Sequence, residues 1–485
     1  MGNDSVNPSN AQVVNTSSGK KTGLDRCPFC GSTDIIFDQK LGKLKCLNCR
    51  SVFEPEHSDA LISDIHNLVG EVIGSGSSNI VPDTATVLTF KCSSCGAEIV
   101  IDTAESATAR CHWCRHTLGI NDQIPNGAVP DMVLPFAIAK QDAQARIAAF
   151  MEKRKFFANT AFRNEFTVEN ITGVFLPYMV VDINARAQLS GQGEHLVRRY
   201  SVGSGKNRQT RYDADLYNVE RNFDLLIDDL IIESSADKLD QNTTNNTNNV
   251  INSILPFDTE NCIKWDANYL KGFASEKRDT NIDNLRDKVG LQAKDVARNM
   301  ANQTLTFYDR GVQWTQDGTN IKGTAWKSAY LPVWLYSYQQ ISGDKKLLHY
   351  CAVNARTGET MGSVPLNMAK VIGITVLLEI LFGGAGLSIL MGVDGKGGNM
   401  GLFGFLPGII FFFYIRFKYR NTNKRHHHES ETKATAENLT TRDEFVEHRK
   451  RLSNSRMNGA NNKKILGSSA KMGAMDSFFS QFTKG

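Results

Sequence analysis

Eight of the ten cysteines fall into four Cys-x-x-Cys pairs, and the pairs form two units of one design. The first reads CPFCG, a spacer of fifteen residues over 31–45, then CLNC, and supplies Cys27, Cys30, Cys46 and Cys49. The second reads CSSCG, fifteen residues over 96–110, then CHWC, and supplies Cys92, Cys95, Cys111 and Cys114. Each cysteine of the first unit recurs 65 residues later, so this is an internal repeat. Two residues between cysteines let both thiolates of one tight knuckle face one metal. Four thiolates then make a closed tetrahedral zinc site, the structural type that leaves no open position for catalysis. A lone Cys-x-x-Cys would equally suit a redox pair; four in this arrangement favour two structural zinc ions. His112 and His116 lie beside the last knuckle, and the complete cysteine set leaves them as solvent-facing side chains.

The spacer is long enough for a short hairpin that brings the second knuckle beside the first. Alternating apolar residues fit it, namely Ile35, Phe37 and Leu44 in one unit and Ile99 and Ile101 in the other. Arg110, Trp113, Arg115 and His116 cluster at one tip of the second ribbon, where they could stack on a base and contact phosphate. The alternative is a surface rim with Trp113 packed on the next domain, and the lack of a dense basic stripe favours it. Between the ribbons, Ser58 to Gly70 predicts an amphipathic helix with Leu61, Ile62, Ile65, Leu68 and Val69 on one side. GSGSSN, Gly74 to Asn79, predicts a flexible linker that lets the ribbons move independently.

The chain has 485 residues, enough for several domains, and its 55 Lys and Arg against 51 Asp and Glu do not by themselves imply nucleic acid. The basic excess is local, with 15 basic and 7 acidic residues from Arg416 onward. No charged stretch followed by an apolar one opens the sequence, so no secretory signal is expected. Val6 stands where a myristoylation motif needs Ser or Thr. Paired cysteines without a signal point to metal in a reducing compartment. Met1 to Lys21 is polar and predicts a disordered tail.

From Asp131 to Gln340 the pattern predicts a duplicated α+β region. A helix from about Ala137 to Lys153 precedes a strand entering a hairpin, Ile171 to His195; a second, from about Asn284 to Ala301, precedes another, Lys327 to Asp344. Phe175-Leu176-Pro177 aligns with Tyr330-Leu331-Pro332. Asp240 to Asn249 is an Asn-rich surface loop. A strand from Leu347 to Val353 leads through a turn, with φ > 0 expected at Gly358, to a short strand near Glu359 to Val364. Gly203-Ser204-Gly205-Lys206-Asn207 lacks the hydroxyl and the first glycine of a phosphate-binding loop and predicts a hairpin tip. No GxSxG or HExxH occurs. Cys351 reads as buried packing, and His195 and His349 as structural histidines.

These residues resemble the bacterial, actinobacterial-type membrane-anchored zinc-ribbon proteins often labelled primosomal or helicase-like. The resemblance rests on Gly173-Val174-Phe175-Leu176-Pro177-Tyr178-Met179, Pro332-Val333-Trp334 and Val353-Asn354-Ala355-Arg356-Thr357-Gly358-Glu359, with Leu255 to Glu276 similar to the family's middle segment. Met179 departs from the Trp frequent there. The last unit also resembles a peptidase-propeptide-type domain. The resemblance carries no activity onto these residues, and no Walker A motif supports a helicase.

Val371 to Met391 contains one ionisable group, Glu379, and predicts a transmembrane helix. Gly401 to Ile415 predicts a second, shorter span, followed by Arg416, Lys418, Arg420, Lys424 and Arg425, which place the C-terminal end in the cytoplasm. Thr441 to Ser453 predicts a charged amphipathic helix, and Ser477 to Phe482 a docking peptide or a sticky terminus.

The expectation is therefore a multidomain α+β protein with two tandem four-cysteine zinc ribbons, a duplicated α+β soluble module and a C-terminal transmembrane helical hairpin. Its divisions are a tail (1–21), ribbons (22–56 and 88–120) joined by a helix and linker (57–87), α+β units (130–239 and 253–366) around the Asn-rich loop (240–252), a membrane hairpin (370–417) and a basic cytoplasmic tail (418–485). It predicts a cell-membrane protein with two spans and both termini cytoplasmic, in contact with lipid. Its expected role is a non-enzymatic scaffold or adaptor that recruits a protein partner. The alternatives are a nucleic-acid-tethering ribbon protein and an enzyme with an unrecognised site; no small-molecule substrate is evident.

Overall fold

Two unusually long runs rich in β-branched and aromatic residues dominate the architecture, because they pair with each other along most of their length. The structure is a computed structural model. It describes residues 12–14, 26–58 (save 33), 64–80, 87–91, 98–102, 108–110, 117–119, 130–165, 167, 170–203, 208–234, 254–270, 273–275, 278, 280–342, 345–362, 364–383, 406–419 and 433–452. The N-terminal strands are β1 (Gln12–Val14), β2 (Ile35–Asp38), β3 (Lys43–Cys46), β4 (Val52–Phe53), β5 (Gly70–Gly74), β6 (Val87–Lys91), β7 (Glu98–Asp102), β8 (Thr108–Arg110) and β9 (Thr117–Gly119). The body follows with β10 (Met132–Val133), α1 (Lys140–Glu152), α2 (Thr160–Glu165), β11 (Thr172–Val202), β12 (Gln209–Glu233), β13 (Ile263–Lys264), β14 (Ala274–Ser275) and α3 (Arg286–Gln303). It ends with β15 (Gly311–Ser342), β16 (Lys345–Asn354), β17 (Thr360–Gly362), α4 (Met368–Leu378), α5 (Leu406–Tyr419) and β18 (Lys433–Leu452).

The main sheet is mixed, has eleven strands and runs β1-β5-β15-β11-β12-β18. α1 precedes β11 and α3 precedes β15 in the chain, but the two strands lie side by side in one sheet. β11 and β15 pair antiparallel from Thr172↔Leu335 to Glu194↔Gly311. At 31 residues β11 is about 100 Å of chain, against a usual strand of about 20 Å, and bulges at 181/183 and 196/198 relieve its pairing with β12. α3 buries Val289, Ala293, Val296, Ala297 and Ala301 at helical spacing, and its small residues pack beside Ile183, Ala185 and Phe223. α1 does the same with Ala143, Ile147 and Met151 near Phe175 and Trp334. Gly203 adopts φ +94 just after the last β11–β12 pair, so the stretch tested as a phosphate loop begins as a hairpin turn. Gly358 has φ +79 as expected, and Cys351 is buried.

The fold departs from expectation in six places. First, a large mixed β-sheet replaces separate α+β units. Second, no helix among the described residues is long and apolar enough to cross a membrane, which overturns the transmembrane hairpin, the two-span topology and the cell-membrane location. α4 has eleven residues and passes into a π-helical turn at Glu379–Gly383, about 24 Å in all against roughly 30 Å of hydrocarbon. The inner ends of both helices belong to the protein core, where Val371, Ile415 and Tyr419 are buried and Phe157 packs on Phe411 at 5.8 Å. Third, among the described residues of the stretch 58–70, where a helix was expected, Ile65–Asn67 form a short 3-10 turn, and β5 then pairs with β15 from Gly70 to Ile73. Fourth, the GSGSSN stretch is buried at Gly76 and Ser77 and held by the Asp131 carboxylate, which accepts from Gly76 N and Ser77 Oγ, both at 2.7 Å. Gly74 permits this approach, since a Cβ there would lie 2.6 Å from that carboxylate. Fifth, residues 433–452 form a strand where a helix over 441–453 was expected, because the open edge of β12 offers a full ladder of backbone partners. Sixth, within the tail expected to be disordered, Gln12–Val14 pairs with β5.

Candidate metal centre

The first ribbon is a three-stranded sheet, β2-β3-β4, whose register sets Ile35 opposite Cys46 and Phe37 opposite Leu44. Its two knuckles are near copies. Gly31 N donates to Cys27 O at 2.9 Å, and Cys27 N to Ser32 O at 2.8 Å; in the other, Cys46 N donates to Ser51 O at 2.9 Å. The residue after the second cysteine of each pair is left-handed, Gly31 at φ +70 and Arg50 at φ +63. The spacing predicted this turn, and a glycine performs it at no steric cost in one knuckle while an arginine bears it in the other.

These turns bring the four sulfur atoms within 4.8 Å of one another. Cys27 and Cys49 Sγ are 3.5 Å apart, and Cys30 and Cys46 Sγ 3.6 Å. A tetrahedron with Zn–S bonds of about 2.3 Å needs sulfur atoms about 3.8 Å apart, so the donor set fits one zinc ion. Cys27 and Cys46 are buried and Cys30 and Cys49 exposed. Burial pushes the Cys27 thiol up to about 11. The hydroxyl and backbone N–H of Ser51 pull Cys49 down to about 6, with the hydroxyl 3.1 Å from Sγ. The Ser32 backbone N–H lowers Cys30. Asn48 Nδ2 reaches Cys30 Sγ at 3.7 Å. These outer groups, which the spacing argument missed, orient sulfur lone pairs as the outer partners of metal ligands do.

The ribbon is fixed to the body. Phe37 lies 5.1 Å from Tyr269, Gln39 Nε2 donates to Ile138 O at 3.3 Å, and Cys27, Ile35, Leu44 and Cys46 share one apolar core with Phe136 and Trp334. Its outer side keeps large apolar groups in solvent. Phe29 is 68% exposed and Leu47 46%, one from each knuckle.

Cys92, Cys95, Cys111 and Cys114, and with them Trp113, Arg115, His112 and His116, lie outside the described residues. Arg110 closes β8, where its backbone pairs with Thr117. The described strands flanking these cysteines pair across each cysteine pair, β6 with β7 and β8 with β9, and β7 and β8 lie in separate sheets, unlike the β2–β3 hairpin expected to recur over 96–110. Lys91 pairs with Glu98 around the first cysteine pair, and Arg110 with Thr117 around the second. The Asn-rich loop and the 477–482 stretch also lie outside them.

A second group that could hold a metal was invisible to spacing, since Asp182 comes from β11 and Asp228 and Asp229 from β12. One cation already stands among these carboxylates: Lys327 Nζ lies 3.0 Å from Asp182 and 3.7 Å from Asp229. Burial pulls the Lys327 pKa down, but the Asp182 and Asp229 carboxylates outweigh it and hold the ammonium above its usual value. His195, expected to be structural, faces the Asp309 carboxylate and the Phe307 carbonyl oxygen, each 3.0 Å from Nδ1.

No family model matches the chain, and no solved structure matches it. It is similar to an uncharacterized protein, YdjG, of Bacillus subtilis (strain 168), 25% identical over 346 residues, which are 71% of this chain and 91% of that protein.

Proposed function

We propose that this chain is a zinc-stabilised, non-enzymatic binding protein whose ribbons present a surface to a protein partner. The reading is carried by one feature of the first ribbon. Its four thiolates make a closed donor set docked on the body through Phe37, while the knuckle tips Phe29 and Leu47 face solvent. A closed set has no position for substrate, and exposed aromatic and aliphatic tips on a rigid support suit the apolar centre of a protein interface. The repeat, its resemblance to zinc-ribbon proteins and the paired strands around 92–95 and 111–114 support a second zinc ion at Cys92, Cys95, Cys111 and Cys114.

The test has two parts. Metal analysis of the full chain is expected to give two zinc ions, falling to one with Cys46→Ser; a zinc-free protein refutes the reading. A photocrosslinker at Phe29 is then expected to trap a protein with little response to added salt. Trapped nucleic acid that is lost steeply with salt would replace the protein partner by a phosphate-bearing one.

A further inference from the structure

The far end of the β11–β12 pair projects beyond the rest of the sheet. Among the described residues β15 pairs with β11 no farther than Glu194, and β18 pairs with β12 no farther than Tyr212. Past these points the two strands continue alone, from Arg199↔Tyr212 to Val202↔Gln209, as a two-stranded tip. From Leu196 to Arg211 the sequence holds five basic residues, Arg198, Arg199, Lys206, Arg208 and Arg211, and no acidic one. Arg198 is engaged, since its Nε lies 2.8 Å from Asp213 Oδ2. Arg199, Arg208 and Arg211 are not. Among the described residues none of these three side chains has an ion pair or a hydrogen bond, and Arg211 Nε lies out of solvent without a partner. Unpaired cations on a protruding element favour a polyanion. The register puts Arg199 on one face, opposite Tyr212, and Arg211 on the other, opposite Tyr200. Such a tip is about 10 Å thick from face to face. The major groove of duplex DNA is about 12 Å wide, so its two phosphate walls would meet cations on both faces, whereas the minor groove, at about 6 Å, is too narrow. The major groove of duplex RNA is too narrow as well.

We propose that the β11–β12 tip binds duplex DNA by entering the major groove, with Arg199, Arg208 and Arg211 holding the phosphates on either side. The contacts are to phosphate, so they position the tip on DNA of any sequence. The tip lies about 75 Å along β11 from Phe175, which shares a core with the zinc ribbon. It is therefore a second surface, separate from Phe29 and Leu47, and does not depend on the protein partner proposed there.

Full-length, zinc-loaded protein and a short fluorescent DNA duplex test this. Three phosphate contacts give a slope of log affinity against log salt of about −2.7, which is about a 40-fold loss from about 50 to about 200 mM salt. Each of Arg199→Gln, Arg208→Gln and Arg211→Gln is expected to flatten that slope by about 0.9. Arg199→Lys and Arg208→Lys keep the charge and are expected to keep the slope, which separates lost phosphate contacts from a disturbed fold. A photocrosslinker at the exposed Thr210 is expected to trap the duplex. Four results would each overturn the proposal: no binding to DNA, an unchanged slope with all three glutamines in place, equal affinity for duplex RNA, or capture of phosphatidylserine vesicles without capture of DNA.

Discussion

Lys327→Met tests the physical reading of the sheet interior most directly. Lys327 and Asp182 are each 6% exposed at the side chain, and Asp229 and Asp228 complete a set of carboxylates around one ammonium. Methionine keeps the length of the side chain and removes the charge. At neutral pH the variant leaves Asp182 as a buried carboxylate without its ion-pair partner, and such one-sided breaks cost about 3–5 kcal/mol. That is about two to four powers of ten in the folded-to-unfolded ratio. The loss must depend on pH with a definite sign. Without the cation the native carboxylates bind protons more readily than the unfolded chain does, so the stability of the variant rises as pH falls toward the ordinary carboxylate range. Urea unfolding at pH 7.5 and pH 5, followed through the fluorescence of buried Trp326 next in sequence, reads both effects. A loss below about 1 kcal/mol at pH 7.5, or an equal loss at both pH values, would refute the view that this lysine neutralises a buried acidic set.

Asp228 offers a milder test: burial and the carboxylates of Asp229 and Asp182 push it up to about 6 from 3.8. Its charge therefore weakens the native state above pH 6, and the penalty vanishes below about pH 4, so Asp228→Asn is expected to stabilise by about 1 kcal/mol at pH 7.5, after allowance for solvent screening, and by nothing at pH 4. Arg50→Gly relieves a left-handed residue in the second knuckle and is expected to slow zinc loss to a chelator, by about 0.5–1 kcal/mol in the apparent affinity, whereas Gly31→Ala should speed it. Phe37→Ala should leave zinc content unchanged while freeing the ribbon, at a cost of about 2 kcal/mol for a partly buried ring, read as faster hydrogen exchange around Ile138 and Tyr269.

The first metal centre was legible because its chemistry is local. Cys27 and Cys30 sit in one knuckle, and the glycine after the pair announces the turn. The start of β11, the Gly358 turn and both long helices were legible for the same reason, since short-range pattern determines them, whereas β15 begins at Gly311, sixteen residues before the expected Lys327. What lay hidden was long-range pairing. Nothing near Gly70 says that the segment will lie parallel to β15 at Gly323, and nothing near Ser77 says that its hydroxyl will meet Asp131 in the core. A Gly-Ser stretch has the composition of a linker, yet small side chains are also what a backbone needs to pass close to a buried carboxylate. Likewise, the charged residues of 433–452 fit a solvated helix locally, but the ladder of β12 decides their conformation.

The apolar run that begins at Val371 meets the core only at its base. Val371 is buried, whereas Ile372, Val376, Leu377, Ile380, Leu381 and Phe382 are exposed. Residues at that base bind the run to the rest of the chain. Lys370 donates to Phe156 O at 2.9 Å, Asn367 N donates to Phe157 O at 2.8 Å, and Val364 N donates to Tyr419 O at 3.2 Å. Each bond ties the base of α4 or α5 to the 155–157 turn or to the strand end before α4, and Val371 and Tyr419 close the same apolar cluster that contains the zinc-ribbon cysteines Cys27 and Cys46. The helix pair and the metal centre are thus two borders of one core. Loosening the helix base, as in Tyr419→Ala, should therefore be felt at the ribbon, as faster zinc loss to a chelator.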